Sequence, residues 1–147
     1  MSINNIGNII KATLATIGGT LSYILGGWDT ALLTLMIMMA VDFISGWTVA
    51  AVFKSSPKTE KGALESKAGL KGLLRKGQVL LIVLVATRLD ILIGTGELVR
   101  NTAIVGFCLN ELVSIVENTG LMGVPLPPII THAIDILEKK NDEVKIR

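Results

Sequence analysis

With 147 residues, the chain has room for one domain. Half of it is apolar, its mean hydropathy is +0.62 and only 18% is charged, against about 25% in ordinary soluble proteins, a balance that favours a membrane protein. The net charge of +2 carries no signature of a nucleic-acid partner, the single Cys108 excludes an internal disulfide, and the single His132 excludes a His-rich metal site.

Four membrane-spanning helices are predicted, over residues 9–27, 30–53, 78–94 and 98–116. The first is rich in small residues and carries one charge, Lys11, near its start. Its n-region is weakly charged and no clear A-x-A site follows its apolar run, so it reads as a span and not as a secretory signal. Gly18, Ser22 and Gly26 recur every four residues in it, a spacing that lets helices approach closely. A turn at Gly26–Asp29, with Trp28 at a membrane interface, leads into the second span, whose only charge is Asp42.

A polar connector follows over residues 54–77. It holds half of the chain's 14 Lys and Arg against two acidic residues, Glu60 and Glu65. Short loops rich in Lys and Arg stay in the cytoplasm, so the connector and, with four spans, both termini are expected inside; with three spans, one weak segment lying on the surface, one terminus is outside. Lys67, Lys71 and Arg75 share one helical face, with Lys76 next to it and Leu70, Leu73 and Leu74 alongside. This is the pattern of a basic amphipathic helix on an anionic lipid surface. The third span is interrupted by Arg88 and Asp90, Gly94–Gly96 mark a turn, and Arg100 is the lone basic residue near it. The prolines at 125, 127 and 128 are expected to close the fourth span. A short amphipathic helix with Ile130, Ala133, Ile134 and Leu137 on one side then runs from 129 into a charged tail.

A charge at the centre of a spanning helix costs about 2.5–3.5 kcal/mol. Asp42 therefore needs a neutral or paired state, and it shares a stripe with Ser45 and Gly46, the latter a packing position. On the fourth span two overlapping stripes occur: Glu111, Ser114 and Asn118, and Asn110, Ser114 and Glu117. Such stripes face protein or water. Glu111 is expected to be buried, and Glu117 and Asn118 to lie at headgroup level. Asp42, Asp90, Asn110, Glu111 and Ser114 are the candidate intramembrane polar residues.

Enzymatic motifs fail. Gly72 to Gly77 has the first spacing of a phosphate loop, but Gln78 stands where its lysine belongs, and Val99 replaces the last glycine of a dinucleotide fingerprint begun at Gly94. No catalytic residues, metal or cofactor are indicated.

Three segments together resemble the phage and toxin-secretion holin family, which includes clostridial toxin-export proteins. They are VDFISGWTVAAV (Val41–Val52), ESKAGLKGLLRKGQVLLIVLVATRLD (Glu65–Asp90) and NELVSIVENTGLMGVPLP (Asn110–Pro127). Positions matching the family pattern include Asp42, Gly46, Gly69, Lys71, Gly72, Lys76, Asp90, Asn110, Glu111, Glu117, Asn118, Gly120, Gly123, Pro125 and Pro127. Arg88 and Pro128 depart from it. The resemblance implies an all-α, non-enzymatic inner-membrane protein that associates with its own copies and permeabilises the membrane to release an endolysin or a large signal-less toxin. Two other classes fit the residues: a small proton-coupled exporter, in which Asp42 or Glu111 carries the proton, and a membrane-anchored scaffold.

Overall fold

The computed structural model describes residues 3–59, 62, 65–133 and 135–136. Every regular element among them is helical: α1 (Ile3–Ile24), α2 (Thr30–Thr48), which runs into a π-helical turn at Val49–Phe53, α3 (Ser66–Ile93) and α4 (Leu98–Leu121). A short helical segment starts at 128. Pro128 opens it, where a missing N–H costs nothing, and the Pro127 carbonyl accepts from Ile130 and Thr131. His132 and Asp135 lie on it, while Ile134, Leu137 and the tail beyond fall outside the described residues.

Two boundaries differ from the sequence reading. The basic connector and the third span are not separate: residues 66–93 form one unbroken helix. Lys, Arg and Leu are all strong helix formers, so a change from charged to apolar composition does not interrupt the backbone, and Gly69, Gly72 and Gly77 do not suffice to break it. The fourth span runs past 116 to Leu121, and it is Gly123, not the prolines, that closes it. Gly123 has φ 75°, and Val124 N–H reaches back to the Thr119 carbonyl at 3.2 Å. The same closure, a left-handed glycine followed by an amide bonding five residues back, ends α1 at Gly26 and α3 at Gly94.

By length and composition, Thr30–Phe53 and Leu98–Leu121 are each long and apolar enough to cross a membrane. The other two helices fall short of that measure. In α1 the apolar residues are diluted by Gly, Thr, Ser and Asn; in α3, Lys76, Arg88 and Asp90 bracket and interrupt the apolar run.

The chain forms two compact units, Met1–Met36 with Arg75–Phe107, and Ile37–Leu74 with Cys108–Arg147. In the first, Leu25, Leu32, Leu35, Val83, Ala86 and Ile104 are buried together with Thr87, Asp90 and Arg100. In the second, Met39, Val49 and Ala50 are buried together with Ser56, Glu111 and Asn118. Large apolar side chains are far more often outside than inside: Ile9, Leu14, Ile17, Ile44, Val85, Leu92 and Val105 are each more than half exposed. A surface this apolar needs a non-aqueous neighbour.

The predicted packing stripe of α1 divides. A Cβ on Gly18 would meet nothing within 4 Å. Gly26, at φ 87°, sits against Arg100, where a Cβ would lie 2.8 Å from Nε and 3.2 Å from the Thr87 methyl. Two alanine substitutions should therefore act oppositely. Gly26→Ala combines a left-handed backbone with a clash and should lower stability by about 2 kcal/mol or more. Gly18→Ala adds helix propensity and should raise it by up to about 1 kcal/mol. Thermal unfolding of the purified protein in detergent checks both; equal effects would show that the two glycines play the same part.

Candidate functional site

The first unit is organised around Arg100, in the first turn of α4 and fully buried. A guanidinium has five N–H donors, and all five are used. Nε donates to the Leu25 carbonyl at 2.7 Å. Nη1 donates to Asp29 Oδ2 at 2.6 Å and to Asn101 Oδ1 at 3.1 Å. Nη2 donates to the Gly27 carbonyl at 3.2 Å and to Asp29 Oδ1 at 3.3 Å. The carbonyls at 25 and 27 point toward the guanidinium because the left-handed Gly26 turns the chain there, and the Leu25 carbonyl also accepts from the Thr87 hydroxyl at 3.3 Å.

A cation in the first turn of a helix opposes the helix dipole. Two carboxylates offset it. Asp29 caps α2, accepting the Leu32 amide at 2.8 Å. Asp90, near the end of α3, caps α4 from outside: its oxygens accept the Val99 amide at 2.9 Å, the Arg100 amide at 2.8 Å and the Thr95 hydroxyl. Each carboxylate thus sits at a helix N-terminus, where negative charge is favoured, with the guanidinium close by. The Arg100 hydrogen bond, opposed in part by desolvation, holds the Asp29 carboxyl below the usual carboxylate range.

The second unit has its own polar cluster. The Asn118 amide nitrogen donates to Asp42 Oδ1 at 3.1 Å and to Ser45 Oγ at 2.9 Å, and lies against Gly46, where a Cβ would be 3.5 Å from it. Asp42, Ser45 and Gly46 share the expected stripe of α2, and the absence of a side chain at 46 admits the amide. Asn118 is buried, on the same stripe as Glu111, also buried, and Ser114, half-buried. Asn110 and Glu117, on the neighbouring stripe, are exposed. Lys67, Lys71 and Arg75 are exposed and Lys76 is half-buried. Among the described residues no group of His, Cys, Asp and Glu is arranged to hold a metal ion.

Residues 19–139 match the profile of the bacteriophage holin family. The chain belongs to that family. It is similar to an uncharacterized 14.9 kDa protein of Clostridium perfringens, 35% identical over 95% of this chain and 100% of that one. An uncharacterized protein of Listeria monocytogenes is 30% identical over 92% and 91%. A probable holin of Bacillus phage phi105 is 28% identical over 74% and 75%. No solved structure matches significantly. The holin match takes in both polar clusters and all of α2, α3 and α4, and leaves most of α1 outside.

Sequence reasoning singled out Asp42, Asp90 and Glu111 but left Asp29 in a turn and took Arg100 only as the lone basic residue near the second outer turn. The signal for Arg100 was present: a lone basic residue in the first turn of an apolar helix is electrostatically misplaced unless an acceptor set surrounds it.

Arg100→Met should destabilise the protein by about 2 kcal/mol or more, since it leaves the Leu25 and Gly27 carbonyls and the Asp29 carboxylate without their guanidinium donors. The pH dependence has a definite sign. Because the folded Asp29 pKa is lowered, its contribution is present above the ordinary carboxylate pKa of about 4 and is lost as pH falls through the lowered value. Wild type should therefore exceed Asp29→Asn in stability at neutral pH, and the gap should close below about pH 4. Thermal unfolding of both proteins across pH measures it; a constant gap would mean that the charge of Asp29 is not what matters.

Proposed function

We propose that the chain assembles with copies of itself in the bacterial cytoplasmic membrane and permeabilises it, releasing an endolysin or a large toxin that lacks a signal peptide, and that it catalyses no reaction itself. The observation that carries this reading is the holin match over residues 19–139, supported by two membrane-length apolar helices and an apolar outer surface. All four long helices span in this reading. Arg88 is exposed near the end of α3, where its stem can lie along lipid while its head reaches the interface. The Asp90 carboxylate is fully hydrogen-bonded, so it does not exclude α3 from the bilayer.

Self-association follows from size. A folded enzyme is about 30 Å across, and a helix with its side chains is only about 10–12 Å wide, so four helices cannot enclose a passage for it. Many copies have to associate and turn a polar face to water. The exposed stripe of Asn110 and Glu117 on α4 suits that role, because an exposed amide within a spanning helix needs protein or water beside it.

Induction in a bacterium carrying a cytoplasmic reporter enzyme tests the reading: membrane potential should collapse and the reporter should escape. Collapse without escape at any expression level would overturn the large lesion and leave a narrow proton-coupled exporter, with Asp42 as carrier, in its place. The topology is tested separately. Single cysteines at Ser55 and Ser66, in a Cys108→Ala background, should resist membrane-impermeant thiol reagents in intact cells. Rapid labelling from outside would invert the proposed orientation.

A further inference from the structure

The first turns of α3 are built the wrong way round for a helix in water. Ala68 and Gly72 are half-buried, and a Cβ on Gly72 would lie 4.0 Å from the Phe43 ring. The outward side carries the large residues. Leu70, Leu73 and Leu74 are 58%, 58% and 65% exposed, and Lys67 and Lys71 are exposed beside them. At 100° per residue the leucines occupy one sector and the lysines the adjoining one, which Arg75 continues along the same helix. Neither lysine makes an ion pair among the described residues.

We infer that this face is a binding surface for anionic lipid headgroups, with the leucines in the acyl boundary and Lys67, Lys71 and Arg75 on headgroup phosphates. The inference rests on the membrane location proposed above. Three observations select lipid as the occupant. The face pairs exposed apolar side chains with exposed cations, which is the composition of an interface between acyl chains and phosphates. Its helix is unbroken for 28 residues, about 42 Å, whereas a hydrocarbon core is about 30 Å thick, so about eight residues at one end reach headgroup level. The apolar run lies toward Ile93, which makes the basic end the one that emerges. A second copy of the chain is the poorer occupant, because two such faces would bring lysines against lysines. Long cationic stems let leucine and ammonium take different depths on one turn, which small residues on the packed side permit by keeping the helix close to its neighbours.

The test uses the full chain with Cys108→Ala, reconstituted in phosphatidylcholine vesicles with or without phosphatidylglycerol. An environment-sensitive fluorophore is placed at Leu70→Cys and, in a second sample, at Leu92→Cys. The Leu70 probe should shift to the blue and be quenched by spin-labelled lipid only when phosphatidylglycerol is present. Replacing Lys67, Lys71 and Arg75 with Gln should reverse this, each charge lowering the ratio of lipid-engaged to free segment about fivefold at low salt. The Leu92 probe should be quenched in both lipids. If it is not, the membrane reading fails; if it is, and the Leu70 probe ignores phosphatidylglycerol, the headgroup surface alone is overturned. Energy transfer between Leu70 probes that grows with protein density and ignores lipid charge would assign the face to a second copy and equally overturn it.

Discussion

A guanidinium does not shed its proton, so burying one obliges the fold to supply acceptors for five N–H groups. Arg100 has all five, and meeting that demand shapes the turn between α1 and α2. Two backbone carbonyls have to face one point, so Gly26 takes a conformation that side chains resist, and Asp29 has to serve the guanidinium and the N-terminus of α2 at once. Asp90 then settles the start of α4 from the end of α3. Much of the geometry of this unit follows from one side chain's requirement for partners.

The distribution of polarity follows the same physics. Among the described residues Arg100, Asp90, Glu111 and Asn118 are buried while many leucines and isoleucines are not. In water this would waste apolar surface. Next to lipid the ranking changes, because hydrocarbon gives no driving force for hiding leucine but penalises every unpaired polar group. Polar residues therefore go where partners are, and apolar residues are left for the surroundings. The placement of Asn118 against Gly46 is one instance.

The helical class, the positions of α2 and α4 and the burial of Glu111 were legible in the sequence, because long apolar windows and isolated charges are local signals. What was not legible depended on phase or distance. Glu117 and Asn118 are neighbours in sequence but about 100° apart around the helix, and only packing decides which turns inward. One expectation covered both, yet Glu117 is exposed and Asn118 is buried. The connector was separated from the third span on composition, although backbone helicity is indifferent to the change from lysine to leucine. Arg100 finds its partners 71 to 75 residues earlier in the chain, a separation that no local pattern encodes.

That same separation divides the contacts of this unit by what they cost to close. The Asp90 cap on α4 spans 10 residues, so closing it costs little chain entropy, and the α3–α4 hairpin can form as soon as both helices exist. The bonds from Arg100 to Leu25 and Asp29 close a loop several times longer, at a higher cost in chain entropy. The α1–α2 turn is thus tied to the α3–α4 hairpin by the contacts that cost the most chain entropy to close, and a loosened guanidinium would free that turn while leaving the Asp90 cap in place.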